Sequence, residues 1–292
     1  MNPSSGTIVV GVDASEQSLR ALAWAVEQSV AEHRTLTLVH AVHIGSPAFM
    51  DAAAVYQSDA EARLRAEGLQ VLDEAVAEVE RLAPDLAVDQ VLRIMDPRAV
   101  LLELSRDAAM VVLGSRGRGR LRSLLLGSVG TALVRHAQCP VVVHRPGNPG
   151  LVRNGILVGV DASPESRIVL EFAYREASLR DLPLTLLHCG LDAHADAMGA
   201  YLVAESIVDP ETERLALAEA IAGMAEKYPE VRTATEIVSG LPQEALLRAG
   251  ERMNMIVVGA HVPGHTSHRL FGSVATSVVE HATCAVAVVP CA

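Results

Sequence analysis

Short apolar runs alternate along the whole chain with longer stretches in which apolar residues recur every three or four positions. The short runs are rich in Val, Leu and Ile and nearly continuous, as expected of strands covered on both faces. They predict strands near 7–12, 36–41, 87–92, 110–114 and 140–144, and again near 156–160, 184–189, 233–238, 255–259 and 285–289. The stretches between them predict helices near 15–33, 59–82, 97–107 and 127–137. Within 59–82, Leu69, Leu72, Val76 and Val79 lie three and four apart, which predicts one buried stripe. Strands alternating with amphipathic helices imply a parallel sheet with crossover helices, so the expected class is α/β.

The pattern is written twice. Val9-Val10-Gly11-Val12-Asp13-Ala14-Ser15 recurs as Leu157-Val158-Gly159-Val160-Asp161-Ala162-Ser163, and Leu36 to His40 recurs as Leu184 to His188, both at an offset of 148. Later landmarks pair at an offset of 145: Gly114 with Gly259, Gly127 with Gly272, His136 with His281, and Cys139 with Cys284. The copies diverge around 44–60 and 190–210, where the length difference is expected. Between them, Arg145-Pro-Gly-Asn-Pro-Gly150 denies both helix and ladder hydrogen bonding. The expected division is a domain over 1–145, a linker over 146–153 and a domain over 154–292.

At 292 residues and 50% apolar content the chain has enough apolar mass for two cores, and the 3% aromatic content suits helix-covered strands better than a sandwich built on large rings. A formal net charge of -11 argues against sequence-independent binding to nucleic acid. The N-terminus lacks a signal-peptide pattern and no apolar run approaches the ~20 residues of a membrane helix, so no membrane partner and a cytoplasmic location are expected. Cys139, Cys189, Cys284 and Cys291 have no metal-ligand or disulfide spacing and read as buried thiols. Lys227 is the only lysine.

Candidate chemistry centres on Gly114-Ser115-Arg116-Gly117, continued by Arg118, Gly119 and Arg120, and on Gly127-Ser128-Val129-Gly130. Glycines after a strand allow positive φ and close approach of main chain to a ligand. A helix opening at Gly127-Ser128 directs free N–H groups at an anion, and the interposed arginines suit phosphate. The bland alternative is a capped helix beside a solvated loop. Asp13, at the end of the first strand, faces the same crevice, with Ser15 available to cap the helix that follows. No lysine follows these glycines, and Arg122 occupies the place of a third dinucleotide-type glycine, so neither a P-loop nor a dinucleotide fingerprint is present.

With strand-Asp at Val10-Gly11-Val12-Asp13, the His40 strand and Gly114-x2-Gly117-x9-Gly127-Ser128 in order, the chain resembles a tandem member of the universal stress protein family along nearly all of both halves. The resemblance implies two doubly wound domains, each a five-stranded parallel sheet in the order 3-2-1-4-5. It implies ATP, with or without Mg2+, in which Gly11, Val12 and Asp13 meet the base and ribose, Ala41 lines the adenine pocket, and Gly114, Arg116, Gly117, Gly127, Ser128, Val129 and Gly130 surround the phosphates. In the second half the corresponding positions are Gly159, Val160, Asp161, Gly259, Gly272, Ser273 and Val274, with Asp192 as a weaker ribose candidate. The resemblance further implies pairing through the final strands at Val141–Val143 and Val286–Val289, within the chain and in a homodimer, and a regulatory partner protein of unknown identity.

The second copy departs from the motif. Val262 stands where Gly117 stands, with the expected cost of a β-branched residue at positive φ, and His261 replaces Arg116, although Gly264 offers the loop another glycine. His261, His265 and His268 lack fixed ligand geometry, and His40 and His188 read as satisfied core groups, with no catalytic residue identifiable. The leading expectation is a nucleotide-dependent stress or dormancy regulator, at most weakly hydrolytic. An adenylating or pyrophosphate-releasing enzyme and a structural module carrying nucleotide incidentally remain as alternatives.

Overall fold

The first strand, β1 (Ile8–Gly11), leaves the sheet at Val12 and turns into helix α1 (Glu16–Glu32), which starts where Ser15 Oγ accepts from the Ser18 N–H at 3.2 Å. The helix stops at His33, a left-handed cap at φ 52° whose N–H returns to the last turn. Then follow β2 (Leu36–Ala41), α2 (Gln57–Leu82), β3 (Val88–Arg93), α3 (Pro97–Leu104), β4 (Met110–Gly114), α4 (Ser128–His136) and β5 (Val141–His144). The second unit repeats this as β6 (Ile156–Val160), α5 (Ser166–Leu179), β7 (Leu184–Gly190), α6 (Pro210–Lys227), β8 (Thr233–Ser239), α7 (Pro242–Gly250), β9 (Met255–His261), α8 (Phe271–His281) and β10 (Ala285–Cys291). This computed structural model describes residues 5–42, 57–115, 117, 126–145, 154–161, 163, 166–190, 210–261 and 271–291. Chain contacts divide it into units Met1–Pro146 and Gly147–Ala292.

In the first unit the strands run in the order β3-β2-β1-β4-β5, all parallel, with Gly11 opposite Val39 and Gly114 opposite His144 at the carboxyl ends. The second unit repeats the order as β8-β7-β6-β9-β10, again all parallel. The expected fold is therefore the observed one. In each unit the winding reverses beside the first strand, and at such a reversal open α/β sheets bind ligands at the carboxyl ends of the strands.

The core of the first unit is the apolar strand set packed under helices. Ile8, Val10, Leu36, Leu38, Met110 and Val112 are fully buried, as are Ala21, Leu22 and Ala25 of α1. Each such Leu or Val contributes roughly 1.5–3 kcal/mol relative to exposure. The stripe expected on α2 is displaced from the one observed. Leu72 and Val79 are buried, but Leu69 is 46% exposed; the sheet-facing line is Leu64, Gly68, Val71, Leu72, Ala75 and Val79. Small residues occupy that line because the helix packs close: a Cβ on Gly68 would come 2.6 Å from Leu92 Cδ1 and 3.2 Å from the His40 ring.

Another close approach fixes the site. A Cβ on Gly114 would lie 2.8 Å from the carbonyl carbon and oxygen of Gln17, so the end of β4 abuts the main chain of α1 itself. Main chain cannot give way as a side-chain tip can. Gly114→Ala should therefore lower the unfolding free energy by about 2 kcal/mol. Gly223→Ala is the control, since a Cβ there meets nothing within 4 Å, and it should raise stability by up to about 1 kcal/mol through helix propensity. Urea unfolding of the two variants measures both.

Candidate functional site

At the carboxyl edge of the first unit, four pieces of main chain converge: Gly11-Val12-Asp13 after β1, Ala41 ending β2, Gly114-Ser115 ending β4, and the start of α4. Asp13 is held by its neighbours. Its Oδ1 accepts from the Ser15 N–H at 3.0 Å and the Ser15 hydroxyl at 2.6 Å, while its own N–H donates to Ser18 Oγ at 3.3 Å. Ser18 Oγ in turn donates to the Ser15 carbonyl at 2.9 Å. Ser15 caps the helix as anticipated, and it simultaneously fixes the Asp13 carboxyl. The turn is closed by Ala14 at φ 57°, a left-handed conformation costly for a residue with a Cβ.

The second carboxyl oxygen of Asp13 faces the glycine loop, since a Cβ on Gly117 would lie 2.3 Å from Asp13 Oδ2. This corrects the expected reason for a glycine at this position. Gly117 does not sit at positive φ, and neither do Gly114 and Gly127; the need at Gly117 is space beside a carboxylate.

Ser115 is buried. Its N–H donates to the His144 carbonyl at 3.0 Å and its carbonyl accepts from the Gly127 N–H at 3.3 Å, which ties the end of β4 to the start of α4. Gly127 is the N-cap, so the helix begins at Ser128, one residue inside the expected 127–137. A glycine N-cap has no side chain to accept from the first turn. The Gly127 carbonyl accepts from the Thr131 N–H at 3.0 Å and the Thr131 hydroxyl at 3.1 Å. Ser128 is exposed, Val129 half-buried, and Gly130 packs on Leu126. The first-turn N–H groups and the positive helix end thus receive no acceptor from the side chain of their own N-cap. Arg116, Arg118, Gly119 and Arg120 lie outside the described residues.

The second unit keeps the carboxylate turn. Asp161 Oδ1 accepts from the Ser163 N–H at 3.1 Å, from the Ser163 hydroxyl at 2.6 Å and from the Ser166 hydroxyl. Gly159 packs on Leu246 and Val160 is buried. The other edge differs. β9 runs through Gly259 and Ala260 to His261, each paired with β10, whereas β4 ends at Gly114. His261 therefore belongs to the ladder rather than to the loop in which the sequence reading put it. Gly272 and Ser273 lie inside the first turn of α8, which begins at Phe271, and Val274 of the same turn is buried. Asp192, Val262, Gly264, His265 and His268 lie outside the described residues.

Sequence reasoning missed Ser18 and Thr131, and it missed the partners of His40 and His188. Those histidines are buried and bonded, at 2.7 Å to the Val12 carbonyl and 2.9 Å to the Val160 carbonyl. The signal for Ser18 was present, since Ser15 and Ser18 recur as Ser163 and Ser166 at the offset of the aspartates. His281, at the end of α8, donates from Nδ1 to the Ser277 carbonyl at 2.9 Å, a helix-end role as expected. Lys227 pairs with Glu171 at the C-terminal end of α6, which leads into the amino end of β8, away from a carboxyl-edge crevice. Burial pushes the Cys139 thiol up to about 12, which leaves it unreactive near neutral pH. No described helix is long and apolar enough to cross a membrane.

A doubly wound α/β unit with a carboxylate turn, a glycine loop and an open helix end at its switch point defines a ligand-binding class of fold. The model of the universal stress protein family matches residues 5–145 and 153–290. A universal stress protein of Mycobacterium tuberculosis is 34% identical over 283 residues, covering 94% of both chains, and one of Mycolicibacterium smegmatis is 32% identical over 288 residues, covering 97% of this chain and 96% of its own. The crystal structure of a universal stress protein from Archaeoglobus fulgidus shares the fold at a TM-score of 0.72 and 18% identity, over 99% of this chain and all of that one. The chain belongs to the universal stress protein family, as a tandem member.

The strain at Ala14 is testable without a ligand. Ala14→Gly should raise the unfolding free energy by roughly 1 kcal/mol, because glycine adopts the left-handed region without a steric penalty. Chemical denaturation measures the change.

Proposed function

We propose that the first unit binds ATP at its carboxyl-edge crevice and that nucleotide occupancy is the output of a stress or dormancy regulator, with hydrolysis at most slow. The observation that carries this reading is the start of α4. Gly127 has an extended N-cap geometry, φ -70° and ψ 158°, yet as a glycine it supplies no side chain to the first-turn N–H groups, and a Cβ there would meet nothing within 4 Å of the described residues. A helix end left open beside a glycine held against a carboxylate suits the phosphates of a nucleotide. Val12, Asp13 and Ala41 would take the base and ribose, and Gly114, Ser115, Gly117, Gly127, Ser128, Val129 and Gly130 the phosphates, with Arg116, Arg118 and Arg120 supplying charge. Asp13 Oδ2, beside Gly117, is suited to a Mg2+ accompanying the phosphates.

The second unit is the weaker site in this reading. Support comes from its longer β9 ladder through His261 and its earlier helix start at Phe271, which leave only residues 262–270 between strand and helix, against 115–127 in the first unit. No described lysine reaches either crevice, which disfavours lysine-dependent phosphoryl or adenylyl transfer.

Gly127→Ser separates stability from binding. Serine at an N-cap accepts from the first-turn N–H groups, so the variant should gain only about 0.3 kcal/mol of stability without ligand and lose about tenfold or more in ATP affinity by calorimetry, since the hydroxyl takes the donors a phosphate needs. Unchanged affinity in the stabilised variant would contradict the reading. Gly117→Ala should weaken the tighter ATP site and Gly272→Ala the weaker one. Loss of all binding in Gly272→Ala alone would reverse the ranking.

A further inference from the structure

The order β8-β7-β6-β9-β10 leaves β8 at the edge of the second unit. In a parallel ladder alternate residues of a strand address the same neighbour. The Arg232 carbonyl accepts from the Leu184 N–H of β7 at 2.9 Å, so the main chains of Arg232, Ala234, Glu236 and Val238 face β7. Those of Thr233, Thr235, Ile237 and Ser239 face away from it. Such an edge is a template for another strand unless charge, proline or a covering element blocks it.

The corresponding edge of the first unit is covered. Val91 of β3 is buried, Asp89, Leu92 and Arg93 are half-buried, and α2 comes close to Leu92 at Gly68. Ile237 is the register counterpart of Leu92, since His188 pairs with Ile237 as His40 pairs with Leu92. Ile237 is nevertheless 51% exposed, and every residue of β8 except the half-buried Val238 is exposed. The helices α2 and α6 match at an offset of 145, which sets buried Leu217 and Met224 on buried Leu72 and Val79. At that offset the counterpart of Gly68 is Glu213, so the close approach that a glycine allows is not open to the second unit. No proline interrupts 231–239, and Thr, Ile and Val favour an extended chain.

This edge is complementary to itself. In an antiparallel pair with its two-fold axis at Ala234, Thr233 lies opposite Thr235 of the second copy, Arg232 opposite Glu236, and Val231 opposite Ile237, each relation occurring twice by symmetry. The outward-facing Thr233 and Thr235 are then the residues that exchange main-chain hydrogen bonds. Exposed Arg232 and Glu236 meet on one face, and the apolar pair lies on the other. An axis at Thr235 or Ile237 sets Glu236 against an apolar residue, and an axis at Glu236 sets like charges against each other. We infer that β8 pairs with β8 of a second copy of this chain, antiparallel and centred on Ala234, with reciprocal Arg232–Glu236 ion pairs fixing the register. The pairing uses neither crevice and neither of the final strands β5 and β10, so it is independent of the nucleotide reading.

Sedimentation equilibrium of the full chain without nucleotide, over a concentration series, tests the pairing. The parent should associate. Glu236→Arg and Arg232→Glu each set like charges opposite one another and should each weaken association at least about tenfold, with the far-UV circular dichroism and thermal midpoint of the parent retained. An equimolar mixture of these two variants again places opposite charges across the strands and should associate within about threefold of the parent, as should the double variant. Thr235→Pro removes an outward-facing N–H, spares the ladder to β7, and should also weaken association. A parent that stays monomeric, association unchanged in Glu236→Arg, or a mixture that associates no better than either variant alone overturns the inference. Amide exchange at Thr233 and Thr235 should slow as protein concentration rises. Protection there that is independent of concentration assigns the edge to a segment of the same chain and overturns the inference as well.

Discussion

Where a parallel sheet reverses its winding, its central strands must part, and each main-chain group they release needs a new partner or a ligand. The carboxyl end of β1 obeys this constraint residue by residue. The Val12 carbonyl goes to His40, the Asp13 N–H to Ser18, and the Asp13 carboxyl to the Ser15 N–H and hydroxyl. The Ala41 N–H meets no carbonyl among the described residues, and Gly127 gives the start of α4 no capping side chain.

The two units solve the same constraint differently at both rims. The carboxylate turn is shared, with Asp161 bonded to Ser163 and Ser166 much as Asp13 is bonded to Ser15. In the second unit, however, the β6–β7 ladder includes Val160 and His188, and β9 stays paired with β10 through His261. More of the main chain is satisfied by other main chain, and less is offered outward.

Much of the fold was legible because continuous β-branched runs and helical periodicities differ in period, and because every landmark occurred twice. Legibility failed where a residue's role depends on distance rather than on type. Leu69 belongs to the right periodicity but lies off the line facing the sheet, where Gly68 and Ala75 permit close packing. Gly117 was singled out correctly as a place that tolerates no side chain, but for conformational freedom, whereas its neighbour Asp13 Oδ2 is the cause. His261 looked like a loop residue because the strand pattern weakens after Gly259, yet pairing with Cys291 extends the ladder to it. The histidines read as satisfied core groups, and only coordinates identify the carbonyls that satisfy them.

The account stands or falls on whether the open crevice of the first unit holds a nucleotide. Native mass spectrometry of the gently purified full chain, followed by addition of ATP, tests this most directly. The predicted spectrum contains each chain with one retained ATP, and a second ATP joins only at higher concentration. Bare chains that remain bare in excess ATP, or two nucleotides that fill together from the first addition, would contradict it.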